Sequence, residues 1–134
     1  MTRSEEREQA FVMLFEWAFQ PELTIDELLS LSLDSDIIKS TEFSEILVRK
    51  TIENCEKIDE KISTYTKGWK ISRLTKVALS ILRLAVCEIL YIEEIPKSVS
   101  INEAVELAKK YASKKDSSFI NGVLGSIVRE NEEN

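Results

Sequence analysis

Histidine is absent from all 134 residues, and the chain holds only 3 Gly, 2 Pro and 2 Cys. Without an imidazole there is no Ser-His-Asp or Cys-His relay and no His-ligated metal site. So few turn residues exclude many-stranded sandwiches and barrels, which need a turn signal about every 8–12 residues. Cys55 and Cys87 form no CxxC and no disulfide framework, so each reads as a buried thiol. The most apolar run, from Val77 to Ile92, has 13 apolar residues in 16 but carries Arg83 and Glu88. A membrane span needs about 20 apolar residues with few charges, so this run is a central helix instead. Glu5, Glu6 and Glu8 stand where a secretory leader would be basic, which points to a cytoplasmic protein.

What is present fits one domain over residues 1–134, with enough apolar side chains (43%) for a core of its own. The expected class is all-α, a single bundle of about six or seven helices. Charge is uneven along it. Residues 1–66 carry 15 acidic against 7 basic side chains, residues 67–115 carry 10 basic against 5 acidic, and the remainder 4 acidic against 1 basic. Such a protein is no general polyanion binder, but a local basic face could still meet a short run of phosphates.

Thr2 with Glu5 and Thr24 with Glu27 have the spacing of capping boxes, and so do Ser100 and Glu103. The first helix presents Ala10, Phe11, Met13, Leu14, Phe15, Trp17 and Ala18 on a wide apolar face and stops at Gln20-Pro21. Leu31 to Ser40 reads as a loop containing Asp34 and Asp36. A long helix is expected from Thr41 to about Tyr65, striped by Phe43, Leu47, Thr51, Cys55, Ile58 and Ile62 and ended by Gly68. After Pro96 the next helix carries Lys109, Lys110, Lys114 and Lys115 at its C-terminal end, where cations offset the dipole. Asp116 or Ser117 then caps a last helix with Phe119, Ile120, Val123, Leu124, Ile127 and Val128. Gly122 and Gly125 inside it suggest close approach of another backbone or a ligand, and the tail Glu130–Asn134 is polar and expected to fray.

Catalytic signals are poor. The carboxylate pairs Glu93-Glu94 and Glu132-Glu133 fall in loop or tail, where neither acid gains the contrasting environment that acid–base work requires. No glycine-rich phosphate loop is present, and no metal or cofactor is implied. Arg83 and Glu88, five residues apart, point about 140° from one another on a helix, so each needs a partner on another helix. Binding is the better lead. Arg3 and Arg7 lie one turn apart with Phe15 two turns beyond, and Lys114 and Lys115 precede Phe119 and Asn121. Cations on phosphates and aromatics on bases are what single-stranded RNA requires, although solvated charges and core phenylalanines would look the same.

The run Ile81-Leu82-Arg83-Leu84-Ala85-Val86-Cys87-Glu88-Ile89-Leu90 is followed by Ile95-Pro96, by Ile101-Asn102-Glu103-Ala104-Val105-Glu106-Leu107-Ala108-Lys109 and by Phe119-Ile120-Asn121-Gly122-Val123-Leu124. In that order and spacing these blocks closely resemble the NusB family, as does Arg7 with Ala10, Leu14, Phe15 and Trp17. The resemblance implies an all-helical, non-enzymatic factor in bacterial transcription antitermination. It would bind boxA-type single-stranded RNA of ribosomal RNA leaders together with NusE, a small-subunit ribosomal protein, within the antitermination complex of RNA polymerase. Carried over by position, the RNA-binding residues are Arg7, with Arg3 beside it, Phe15, Ser118, Phe119 and Asn121.

Two departures stand out. Glu5, Glu6 and Glu8 surround Arg3 and Arg7 where the family is arginine-rich, and Ser118 precedes Phe119 where a basic residue is usual. Lys114 and Lys115 would compensate from the preceding loop. Two other functions fit the residues: a helical protein–protein adaptor without RNA specificity, and the RNA-binding domain of a ribosomal RNA cytosine methyltransferase. No membrane contact is expected, and the sequence leaves a homodimer open.

Overall fold

Two of the three expected capping boxes start their helices as read. In α1 (Arg3–Phe19) the Glu5 amide donates to the Thr2 hydroxyl and the Thr2 amide to the Glu5 carboxylate, and in α2 (Ile25–Leu33) Thr24 and Glu27 do the same. The chain continues through α3 (Glu42–Glu53), α4 (Cys55–Thr64), a short 3-10 turn at Ile71–Arg73, α5 (Lys76–Tyr91), α6 (Lys97–Tyr111) and α7 (Lys114–Glu133). The computed structural model describes residues 1–33, 41–66 and 70–133, and among these there are seven α-helices and no strand. The expected end of a helix at Gly68 lies outside the described residues, as do Asp34 and Asp36.

Four local expectations are corrected. The long helix from Thr41 breaks at Asn54, whose side-chain amide donates to the Lys50 carbonyl at 2.8 Å. Asn54 keeps its backbone bonds to Lys50 and Ile58 but leaves helical geometry at φ −110°, ψ 16°, a bend that this local side-chain bond accompanies. The break lets Leu47, Val48 and Thr51 on α3 and Ile58 and Ile62 on α4 all turn into the core. Leu31 to Leu33, expected to open a loop, belong to α2, and the rest of that segment lies outside the described residues. Helix α6 starts one turn ahead of Ser100, directly after Pro96; Ser100 is inside it and donates its hydroxyl to Glu88. Ser113, not Asp116 or Ser117, holds the start of α7 by accepting from the Asp116 amide at 3.0 Å. Lys114 and Lys115 therefore belong to the first turn of α7.

The core gathers around α5, which packs against α1, α3, α4, α6 and α7. Its Ile81, Leu82, Val86 and Cys87 are fully buried, against Met13 and Leu14 of α1, Leu47 of α3, Ile58 of α4 and Ile120 and Leu124 of α7. Cutting one such leucine back to alanine costs about 2–5 kcal/mol. Both charges inside α5 find the interhelix partners they need. Arg83 makes a two-pronged bond to Asp59 of α4 at 2.8 and 2.9 Å, and Glu88 accepts from Arg7 of α1 and Ser100 of α6. Helices α6 and α7, joined by a two-residue turn, form the most extensive pairing of the bundle and display the outer face of α7.

Candidate nucleic-acid interface

Arg7 lies on the inward side of α1 and is 4% exposed. Its Nε donates to both oxygens of Glu88, at 3.0 and 3.1 Å, and its Nη1 stands 3.8 Å from Glu103. The expectation of a surface cation at this position is corrected: the guanidinium is committed to a buried tie between α1, α5 and α6. Burial raises the Glu88 carboxyl above its ordinary pKa, against the opposing pull of Arg7 and the Ser100 hydroxyl. An ion pair of this kind stabilises little in total but is costly to break from one side.

Arg3, one turn earlier, faces outward. Its guanidinium lies 3.9 Å from the centroid of the Phe43 ring and 3.4 Å from Glu6, with most of the side chain in solvent. Around it the surface is acidic. An open groove of about 480 Å³ between α1 and α6 is lined by Ser4, Glu5, Glu8, Glu103, Glu106, Leu107, Lys109 and Lys110. Its cations are spoken for. Lys110 pairs with Glu8 and Lys109 with Glu106, while Ser4 donates to Glu103.

Three contacts set α1 parallel to α6: Ser4 with Glu103, Glu8 with Lys110 and Phe11 with Tyr111. Beyond them an aromatic row continues along α1. Phe11 and Phe15 have centroids 6.1 Å apart, and Phe15 and Phe19 meet edge-to-face at 5.0 Å. Phe15 is half-buried against the core, and Phe19 is 57% exposed. Through Tyr111 this row reaches the turn where α7 begins. At 1.5 Å per residue Arg3 stands roughly 18 Å back along α1 from Phe15, so the two do not form one site.

On α7, Lys114, Lys115, Ser118 and Asn121 are exposed, while Phe119 is half-buried against the core. Ser118 and Phe119 form one side of a second open groove, about 440 Å³, completed by Tyr65, Thr66, Gly122, Val123, Ser126 and Arg129. Among the described residues no carboxylate lines it. Arg129 was not among the residues expected from sequence, although the helical series 115, 118, 122, 126, 129 points to it. Tyr65 and Thr66 come from the end of α4, and no sequence spacing connects them to α7. Gly122 and Gly125, expected to mark close approach of another backbone or a ligand, meet no backbone among the described residues. A Cβ at Gly122 would meet nothing within 4 Å, and at Gly125 only the Arg129 guanidinium at 3.4 Å. Nor is the tail frayed at Glu130, which accepts from Lys61 of α4 at 2.9 Å.

Neither thiol lines the groove. Cys87 is buried, Cys55 half-buried, and burial pushes each thiol up to about 11. Among the described residues no group of three or more Cys, Asp or Glu side chains is placed to hold a metal ion, and no helix is long and apolar enough to cross a membrane.

Residues 4–129 match the profile of the NusB family. A transcription antitermination protein NusB of Natranaerobius thermophilus is 41% identical over 134 residues, covering 97% of this chain and 96% of the relative. Among solved structures, NusB of T. maritima superposes with a TM-score of 0.86 at 32% identity, over 97% of this chain and 92% of that one. A chain in the crystal structure of antitermination factors NusB and NusE in complex with double-stranded RNA matches at a TM-score of 0.83 and 30% identity, over 97% and 99% of the two chains.

Proposed function

The chain belongs to the NusB family, and from that membership we propose that it is a bacterial transcription antitermination factor binding boxA-type RNA of ribosomal RNA leaders jointly with NusE. It acts in the cytoplasm, within the antitermination complex of RNA polymerase, as a binding factor without a catalytic step. The observation that carries the reading is the outer face of α7. Lys114 and Lys115 stand exposed one turn from Ser118 and Phe119, beside a groove with no carboxylate among its described lining residues. Phosphates are met by the lysines, and an unpaired base stacks on Phe119, an exchange that tolerates any base because every base has a π-face. Ser118 and Asn121 supply polar groups to base edges, and Phe15 extends the aromatic surface from α1.

Arg3 contributes to the field at the far end of α1. Arg7 serves the site from within, by fixing α1 on α5 and α6. With few free cations the chain alone binds RNA weakly, and NusE supplies the rest of the surface.

The experiment is binding of a short boxA-type RNA and a scrambled control, with and without NusE, over a salt series. Four to six phosphate contacts give a slope of log K against log salt of about −3 to −4. Preference for the boxA-type RNA that tightens with NusE supports the reading. Equal weak binding to both RNAs, unmoved by NusE, leaves a helical adaptor as the better account.

A further inference from the structure

We propose that the groove between the end of α4 and the outer face of α7 seats one unpaired nucleotide of the bound RNA, with Gly122 as its bare floor and Arg129 on its phosphate. The inference rests on the RNA reading above and adds to it a pocket and two residues.

A glycine inside a helix weakens that helix relative to alanine, so its presence needs a reason. Among the described residues the fold supplies none at Gly122. The position lies inside α7, and an added Cβ would meet no atom within 4 Å. The space that a side chain would occupy is instead the open groove. On its sides are Phe119, Tyr65, Ser118 and Ser126, and among the described residues its one charged lining residue is Arg129. That set matches a nucleotide: a ring for the base, hydroxyls for its edge, a guanidinium for its phosphate. At about 440 Å³ the groove is in the range of small-ligand sites.

Charge favours RNA over a protein segment. Lys115, Ser118, Gly122, Ser126 and Arg129 recur every three or four residues, so a cation stands at each end of one helical face, roughly 21 Å apart. Arg129 is exposed, with its Nη2 on Ser126 at 3.1 Å, free to turn to a phosphate at little cost. The neighbouring acid Glu130 is held by Lys61 at 2.9 Å and by the Tyr65 hydroxyl at the groove's edge, so its charge is already paired.

The test uses the full chain with NusE and a boxA-type RNA, comparing Gly122→Ala, Gly122→Leu and Arg129→Gln with the parent. Gly122→Ala is expected to raise the melting temperature while weakening RNA several-fold, a pair of opposite signs that a structural role for the glycine would not produce. Gly122→Leu fills the floor and weakens RNA about tenfold or more. Arg129→Gln lowers the magnitude of the salt slope by about 0.7, the share of one single-strand phosphate contact. All three leave NusE binding unchanged. Should Gly122→Leu fail to fold, the alanine variant still decides. RNA affinity equal to the parent in the folded variants overturns the inference and leaves the RNA reading intact, whereas a parent that binds no RNA overturns the reading beneath it. Loss of NusE binding in place of RNA binding would mean that a protein covers the groove, and would overturn the inference too.

Discussion

Two of the surface grooves, one on each side of the bundle's α6–α7 pair, are nearly equal in size and opposite in chemistry. The one between α1 and α6, about 480 Å³, holds four glutamates and two lysines, and the lysines are already paired within the chain. The one between α4 and α7, about 440 Å³, has no carboxylate among its described lining residues and a guanidinium on its edge. A census of cations would favour the first. Availability favours the second, because a polyanion entering the first groove must break existing pairs and approach the glutamates, while the second presents a guanidinium and, among the described residues, no lining carboxylate.

The sharpest way to stress this contrast is at Arg7, the arginine that looks available in sequence and is not. Arg7→Met strands Glu88 in the core and is expected to cost about 3–5 kcal/mol in denaturant unfolding. Much of that should return in the double variant Arg7→Met with Glu88→Leu, since the two residues share one interaction. The pH dependence follows from Glu88. Its folded pKa is raised by burial, so the stability it contributes is present below its unfolded pKa and lost as pH rises through the folded one. Removing Arg7 raises that pKa further. The single variant should therefore regain stability, relative to the parent, as pH is lowered from 8 toward 5.

Next in size is Phe119→Ala, expected to weaken RNA by about 1–3 kcal/mol if the ring stacks on a base. Because this ring also packs on the core, its unfolding curve must be measured beside its affinity. Replacing Lys114 and Lys115 together by Gln should lower the salt slope by about 1.4 in magnitude at constant stability. Unchanged RNA affinity after charge reversal of both lysines would remove them from the site. The smallest effect belongs to the other groove: Glu106→Gln, which frees Lys109, should leave RNA affinity as it was. A clear gain in RNA affinity there would erase the distinction between the grooves.

Much of the architecture was legible along the chain because it is local. Thr2 and Thr24 cap their helices as their spacing requires, Pro21 and Pro96 punctuate as proline must, and the apolar run from Val77 to Ile92 became the helix around which the others pack. Arg83 and Glu88 declared in advance that they needed partners elsewhere. What sequence could not supply was the identity of those partners, and that decided the site. Arg7 and Arg3 are one turn apart and chemically alike, but only the three-dimensional position of Glu88 makes one a core residue. Ser100 and Glu103 have capping-box spacing, yet both are taken by tertiary partners, Glu88 for the first and Ser4 for the second. The break at Asn54 is a bend of one residue within a stripe that is otherwise continuous. Gly122 is recognisable in the sequence as a place of close approach, and no described residue of the bundle comes within 4 Å of a Cβ placed there.

The most direct test is an amide chemical-shift titration of the labelled protein with boxA-type RNA. The account predicts perturbations concentrated at Lys114–Gly122, Arg129 and Tyr65–Thr66, with Ser4–Glu8 and Glu103–Lys109 left in place. Perturbations centred on that second set would put the RNA in the α1–α6 groove and contradict the account.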